Sequence, residues 1–385
     1  MNRHTDASPG WGQSLYYGAA GVTLMHANRA YAGAGGGETM RPWATAMLSG
    51  PIMAADTANL YEGAPAVAYV LAFVDTPAAG ARLIELDAHV RRLSAERLRR
   101  AHARIDRQEI ADKSEFDLIN GLTGLGVYHL RCGNWADVRD ILTYLVRLAE
   151  PITAGREGLP GWWCASSVDT RTPPHPEGHS DFGMAHGIAG PLAFLSTAAL
   201  RGVRVRRQES AIARLCQWLD QWRTGPPENS WWPEWIGRSE LRRGRTDRTE
   251  LARPSWCCGL PGIARAQQLA GLALGDTELQ DRAEQALAGC ITNERQLALL
   301  KDASLCHGWA GLEQTARRAA QDERGGSLTE LLPTVQARLD AYLEHHQMPG
   351  NPSLMEGTSG LLLTQLDRNT AMPETSWDLC LLLSG

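Results

Sequence analysis

Ser304-Leu305-Cys306-His307-Gly308-Trp309-Ala310-Gly311 is one copy of a phrase that recurs along the whole chain, a small or polar start followed by Gly-x-x-Gly. The other copies are Ser14-Leu15-Tyr16-Tyr17-Gly18-Ala19-Ala20-Gly21, Asn59-Leu60-Tyr61-Glu62-Gly63-Ala64-Pro65-Ala66 and Asp117-Leu118-Ile119-Asn120-Gly121-Leu122-Thr123-Gly124. Further on come Phe182-Gly183-Met184-Ala185-His186-Gly187-Ile188-Ala189-Gly190, Ser255-Trp256-Cys257-Cys258-Gly259-Leu260-Pro261-Gly262 and Ser353-Leu354-Met355-Glu356-Gly357-Thr358-Ser359-Gly360. Seven copies spread over 385 residues argue for one array spanning 1–385, although the length would suit two domains.

After each phrase the chain runs apolar at helical spacing, as in Leu361-Leu362-Leu363-Thr364-Gln365-Leu366, which predicts short inner helices buried on most sides. Between them lie charged amphipathic stretches, Ala79 to His102, Trp135 to Leu148, Gln208 to Trp222, Asp276 to Cys290 and Leu328 to His345. These predict outer helices, and period-2 alternation is scarce, so the fold class is all-α. Glycine at each helix start permits close backbone approach, which favours a closed seven-fold α/α toroid over an open solenoid. The inner N-termini then converge on one mouth, where chemistry is expected. Two connections exceed what a hairpin needs, at about 155–184 and 224–253. The first carries Pro160, Pro173, Pro174 and Pro176; the second carries Pro226, Pro227 and a basic run from Arg238 to Arg248 that reads as a solvated face. The tryptophans in these loops read as packing onto the ring, and the apolar tail Leu379-Cys380-Leu381-Leu382-Leu383 as docked on it. The first phrase begins at Ser14, which leaves no room for an outer helix ahead of it.

Composition narrows the function. A hydrophobic content of 43% with 21% charged residues is that of an ordinary soluble domain, and no apolar run nears the roughly 20 residues of a membrane span. A net charge of −5 gives no case for nucleic acid. Met1 to Gly12 lacks a signal pattern, so the expected location is the cytoplasm, with the eight cysteines reduced.

Aligning the copies on their first glycine places side chains at equal height around the mouth. Two residues before it stand Cys257 and Cys306; one before it stand His186, Cys258 and His307. Cys257, Cys306 and His307 make a Cys2His zinc site with a vacant fourth position, the pattern of a catalytic rather than a structural zinc. Cys258 would close the site if it also ligated. Cys132, Cys216, Cys290 and Cys380 read as core residues. His186 faces the same mouth as a proton carrier, and Asp117 is its natural partner as well as a candidate cap for the helix after Gly121.

The phrases Ala185-His186-Gly187-Ile188-Ala189-Gly190, Trp256-Cys257-Cys258-Gly259-Leu260-Pro261-Gly262 and Leu305-Cys306-His307-Gly308, in that order on seven repeats, resemble the lanthionine synthetase C-like cyclases over nearly the whole chain. The resemblance implies one catalytic Zn2+ per chain, held by Cys257, Cys306 and His307, with His186, Asp117 and Arg253 at the family's active-site positions. It implies addition of a peptide cysteine to dehydroalanine or dehydrobutyrine, giving a (methyl)lanthionine thioether. The partners it implies are a dehydrated precursor peptide with its leader, a dehydratase and an exporter. Two departures stand out, Cys258 where the family usually carries Tyr and Ala66 for the second glycine of the second repeat. Two other functions fit the same sequence: addition of a small thiol such as glutathione to dehydroamino acids, and a non-catalytic peptide-binding toroid with a closed metal site.

Overall fold

Each phrase starts a helix because its glycines remove side chains where the chain doubles back. A Cβ at Gly308 would lie 2.2 Å from the Asp302 Oδ1, and one at Gly311 would lie 2.1 Å from the Leu305 carbonyl oxygen. Replacing Gly311 by alanine is therefore expected to cost about 1–3 kcal/mol in a denaturation experiment. Gly158, with open space around its Cα, is the control, and alanine there is expected to change stability by less than about 0.5 kcal/mol.

The computed structural model describes residues 10–155, 157–167, 177–226, 229–249, 251–369 and 375–385. Residues 1–9, Pro173, Pro174, Pro176 and Pro227 of the sequence reading lie outside them. Along the chain, inner helix α1 (Ala19–Tyr31) is followed by outer α2 (Gly37–Leu48), inner α3 (Ala64–Leu71) and outer α4 (Pro77–Asp106). After the short α5 (Lys113–Phe116) come inner α6 (Leu122–Cys132), outer α7 (Trp135–Leu148), inner α8 (Ala189–Leu200) and outer α9 (Gln208–Trp222). Past the short α10 (Arg238–Arg243) lie inner α11 (Leu260–Leu274) and outer α12 (Thr277–Thr292). Short α13 (Glu294–Leu297), inner α14 (Trp309–Asp322), outer α15 (Ser327–His345) and inner α16 (Thr358–Asn369) complete the array.

The inner helices form a closed ring. Each packs on the next, α1 on α3, α3 on α6, α6 on α8, α8 on α11, α11 on α14 and α14 on α16, and α16 returns to α1. Inner helices are buried almost throughout, as in α8 from Ala189 to Ala199. Outer helices bury one stripe; in α7 it is Val138, Ile141, Leu142, Leu145 and Leu148, the spacing of a one-sided helix. Helix α2 was not foreseen, since it follows a glycine-rich stretch, contains Pro42 and buries only Met47. Ahead of the first phrase the described residues hold a 3-10 turn, Trp11–Gln13. In the second repeat Gly63 has φ +76°, whereas Gly18, Gly121, Gly259 and Gly308 are extended, and it is this repeat that carries Ala66.

The two long connections are tied together. A hairpin of β1 (Ile152–Ala154) and β2 (Glu157–Leu159) opens the first, and β3 (His179–Asp181) pairs antiparallel with β4 (Trp235–Gly237) of the second. Trp162, Trp163 and Trp232 are buried, so they pack the loops onto the ring as expected. The basic run is neutralised locally: Arg238 and Arg242 pair with Glu157 at 3.2 and 2.9 Å, and Arg248 pairs with Glu240 at 3.1 Å.

The C-terminal tail is not docked on the outside of the ring but fills its bore. Residues Leu379 to Leu383 are fully buried. Side chains from α3, α11 and α14 reach them from different sides: the Tyr69 hydroxyl donates to Trp377 O at 3.0 Å, Arg265 to Leu383 O at 2.7 Å, and Arg318 to both Asp378 oxygens at 2.6 and 2.9 Å.

Candidate active site and metal centre

The mouth is built on backbone. The phrase of one repeat donates to the phrase of the next, from Leu118 to Ala185 (3.1 Å), Ala185 to Cys257 (2.9 Å), Cys257 to Cys306 (3.3 Å), Cys306 to Met355 (2.9 Å) and Met355 to Tyr16 (3.3 Å). Leu15, three before its first glycine as Leu118 is, donates to Tyr61 at 2.8 Å and ties in the second repeat. From Ala185 to Tyr16 the bonded residues all stand two before their first glycine, so equal position is equal height over those repeats, and the backbone holds Cys257 between Ala185 and Cys306.

Cys257 and Cys306 come together there. The thiol of Cys258 stands 3.4 Å from that of Cys257 and favours its ionisation, but the neighbouring Cys306 thiol and burial outweigh this and push Cys257 above the ordinary thiol value. His307 follows Cys306 and is fixed by its other nitrogen: Nδ1 lies 2.9 Å from Asp302 Oδ2 and 3.1 Å from the Ser304 hydroxyl. With Nδ1 donating to the carboxylate, Nε2 keeps its lone pair, the tautomer a metal requires. Burial alone would raise the Asp302 carboxyl, but the bonds from His307 and Ser304 hold it well below the usual carboxylate range. Nε2 points toward Glu356, whose Oε1 is 3.8 Å away and accepts the Tyr16 hydroxyl at 2.9 Å. Among the described residues no three His, Cys, Asp or Glu side chains already stand as a metal-holding group. The donor chemistry of Cys257, Cys306 and His307 nonetheless fits zinc, two soft thiols and an imidazole oriented by a carboxylate.

His186 and Asp117 meet across repeats. His186 Nδ1 is 2.6 Å from Asp117 Oδ2, and 40% of the imidazole side chain remains exposed at the mouth. Asp117 is fully buried and its Oδ1 also accepts the backbone N–H of Asn120 (2.6 Å) and Gly121 (2.8 Å). It therefore caps the turn into α6 and orients His186 at once. Burial by itself would lower the His186 pKa, but Asp117, with Asp181 behind it, outweighs burial and the opposing charge of Lys113 and raises it above the ordinary histidine value. Arg253 stands apart: its side chain is half-buried and has no hydrogen-bond or ion-pair partner among the described residues, Asp117 included.

Sequence reasoning missed Asp302 and Asp181, and the register held the signal. Both lie six residues before the first glycine of their repeats, as does Asn351. In each case the side chain accepts the N–H two residues on, from Gly183, Ser304 and Ser353 at 2.8, 2.8 and 3.0 Å. The backbone carbonyl of the same residue accepts the N–H seven on, from Ile188, Trp309 and Thr358 at 3.0, 3.1 and 3.0 Å. The position is a turn builder whose carboxylate then serves the neighbouring imidazole, and Arg253 occupies it in the fifth repeat.

The fold and the phrases have relatives. The match to "Nisin biosynthesis protein NisC" of Lactococcus lactis subsp. lactis is 23% identical over 273 residues, 70% of this chain but only 64% of that protein. A solved structure titled "Nisin cyclase" superposes with a TM-score of 0.79 at 20% identity, covering 99% of this chain and 94% of the other. That likeness is one of fold, and it fits the closed helical ring. The sequence model described as "Lanthionine synthetase C-like protein" matches residues 9–382, and the chain accordingly belongs to the lanthionine synthetase C-like family.

Proposed function

We propose that this chain is a zinc-dependent lanthipeptide cyclase, adding a peptide cysteine to a dehydroalanine or dehydrobutyrine of the same peptide. The observation that carries it is the juxtaposition at one mouth of two thiols, a carboxylate-fixed imidazole and a second imidazole–carboxylate pair. Cys257, Cys306 and His307 would hold one Zn2+, which when bound would supply the lowered thiol pKa that makes the peptide sulfur a nucleophile near neutral pH.

The chain's own residues do the rest. Asp302 holds the His307 ring so that Nε2 faces the site. Asp117 holds His186 by Nδ1, which leaves Nε2 toward the mouth as the proton carrier. The peptide thiol loses its proton to solvent at the mouth, the sulfur–carbon bond forms at the β-carbon, the π electron pair moves to the α-carbon and its carbonyl as an enolate, and His186 in its protonated form gives a proton to the α-carbon. No oxidant or nucleotide enters the balance. Arg253, whose side chain has no hydrogen-bond or ion-pair partner among the described residues, is the candidate cation for the enolate charge. The substrate is a dehydrated precursor peptide, the companions a dehydratase and an exporter, and the compartment the cytoplasm. Among the described residues no helix is long and apolar enough to cross a membrane.

The test is thiol alkylation followed by mass spectrometry of a peptide containing cysteine and dehydroalanine, incubated with the zinc-loaded protein. Protection of the cysteine without change in peptide mass supports ring closure, and a peptide that alkylates fully refutes it. Replacing Asp302 by asparagine is expected to weaken zinc binding about 10–100-fold in a chelator competition, since that carboxylate sets the tautomer of His307.

A second reading rests on Cys258. Two thiolates on tetrahedral zinc lie about 3.8 Å apart at Zn–S bonds near 2.3 Å. The 3.4 Å between Cys257 and Cys258 is close to that spacing, so Cys258 could ligate zinc beside Cys257 and close the site. The cobalt-substituted protein decides: an open site changes its absorption when a thiol is added, and a site closed by Cys258 does not.

A further inference from the structure

The tail in the bore touches the mouth from below. Its two carbonyls nearest the mouth, Cys380 O and Leu381 O, accept the Tyr61 hydroxyl at 2.8 Å and the Trp256 indole N–H at 2.9 Å. Trp256 is the residue before Cys257. Tyr61 packs edge-on against Tyr16, ring centroids 6.3 Å apart, and Tyr16 in turn neighbours Cys306 and donates to Glu356. Tyr61 is thus shared between the backbone ring that carries the ligands and the segment beneath it, and Trp256 joins that segment to the ring member Cys257 beside it.

The segment is held in an unusual shape to do this. Ser376 and Leu382, neither of them glycine, both have φ +54°, in the left-handed region. Such residues persist only where the surroundings over-determine them, and they cluster at sites where geometry matters. Here they bracket the stretch that presents the two carbonyls. Simple filling of the bore would need apolar bulk, which Leu379, Leu381 and Leu383 supply, but would not need carbonyls aimed at the mouth.

We infer that residues Trp377–Leu383 are the floor of the active site, a positioning element whose Cys380 and Leu381 carbonyls set the height of Cys257 and of the Tyr61–Tyr16 pair beside Cys306, and so tune metal binding. The inference rests on the zinc reading above. It also makes the ring a blind cup, since the plug occupies the end of the bore away from the mouth.

Three variants that keep an aromatic ring at each position test it. Trp256→Phe and Tyr61→Phe each delete one donor to the floor near the mouth. Tyr69→Phe deletes the bond to Trp377 O lower in the bore, and with it the acceptor for the Cys380 N–H, so its cost to stability should be at least as large. Zinc affinity is read by chelator competition on the full chain, together with the visible spectrum of the cobalt form. Trp256→Phe and Tyr61→Phe are expected to weaken zinc about tenfold or more and to alter the cobalt spectrum, the scale found for outer-shell partners. Tyr69→Phe should leave both unchanged. Equal zinc affinity in all three variants, whether lowered together or not at all, overturns the inference while the zinc reading stands. A wild-type chain that binds no zinc overturns the zinc reading and this inference with it.

Discussion

Replacing Cys306 by alanine is expected to abolish zinc binding and to lower thioether formation by at least about 10³-fold, beyond the 10–100-fold typical of outer-shell changes. The loss should be chemical, not a failure to fold. Ala185 occupies the same position of the fourth repeat, and its N–H donates to Cys257 O at 2.9 Å as the Cys306 N–H donates to Met355 O at 2.9 Å. The mouth backbone therefore accepts alanine at this height. Cys257→Ala should behave alike, and the double variant should lose no more activity than either single one, because the ligands act as a unit. Cys290 is the control: it is fully buried in α12, away from the phrases, so alanine there should cost stability and leave one zinc per chain. Metal analysis of the purified variants, with alkylation of a dehydrated peptide alongside, reads both effects. Full zinc content in Cys306→Ala would sink the assignment.

Much of this site was legible because the repeat converts sequence position into height. Cys257, Cys306 and His307 emerged from one alignment on the first glycine, and the chain of N–H to carbonyl bonds from Ala185 through Met355 to Tyr16 is the physical form of that alignment. Asp117 was legible twice, as a cap and as a partner of His186, and it is both. What escaped depended on contacts that no local pattern encodes. Asp302 reaches a histidine five residues on within its own turn, a link hidden by its role as a turn builder. Strands β3 and β4 have three residues each, too few to show alternation, and they pair across the whole of α8 and α9. The apolar tail read as docked on the ring, but its place inside the ring follows from Arg265, Arg318 and Tyr69, polar residues on inner helices that reach it from different sides. Buried arginines demand partners, and here Arg265 and Arg318 find them both on neighbouring inner helices, as in Arg265 with Asp322 at 2.6 Å, and in the tail through the middle.

Asparagine at position 117 is expected to cost about 10²–10⁴-fold in activity at neutral pH, and to move the alkaline limb of the pH profile toward lower pH. The fold has reason to survive, since an asparagine oxygen still accepts the N–H of Asn120 and Gly121. The chemistry does not, because the atom facing His186 Nδ1 at 2.6 Å changes from an acceptor to an amide donor. The imidazole is then pressed toward the tautomer that carries its proton on Nε2 and offers Nδ1 as acceptor, and it loses the charge that kept it protonated. The sign follows from the groups around it. Burial is the largest influence on His186 and lowers its pKa; Asp117 and Asp181 raise it, Lys113 lowers it, and in the wild type the carboxylates prevail. A raised folded value means that the protonated ring adds stability below its unfolded value of about 6.5, and that this is lost as pH rises through the folded value. Activity that needs the imidazolium to protonate the enolate falls over the same upper range. Without the Asp117 charge, burial dominates and the fall begins at lower pH. Titration of the His186 ring by NMR, run beside the rate profile, reads the same shift without reference to turnover. An unmoved limb in Asp117→Asn would mean that His186 is not the proton donor, and would leave the α-carbon to be protonated from solvent at the open mouth.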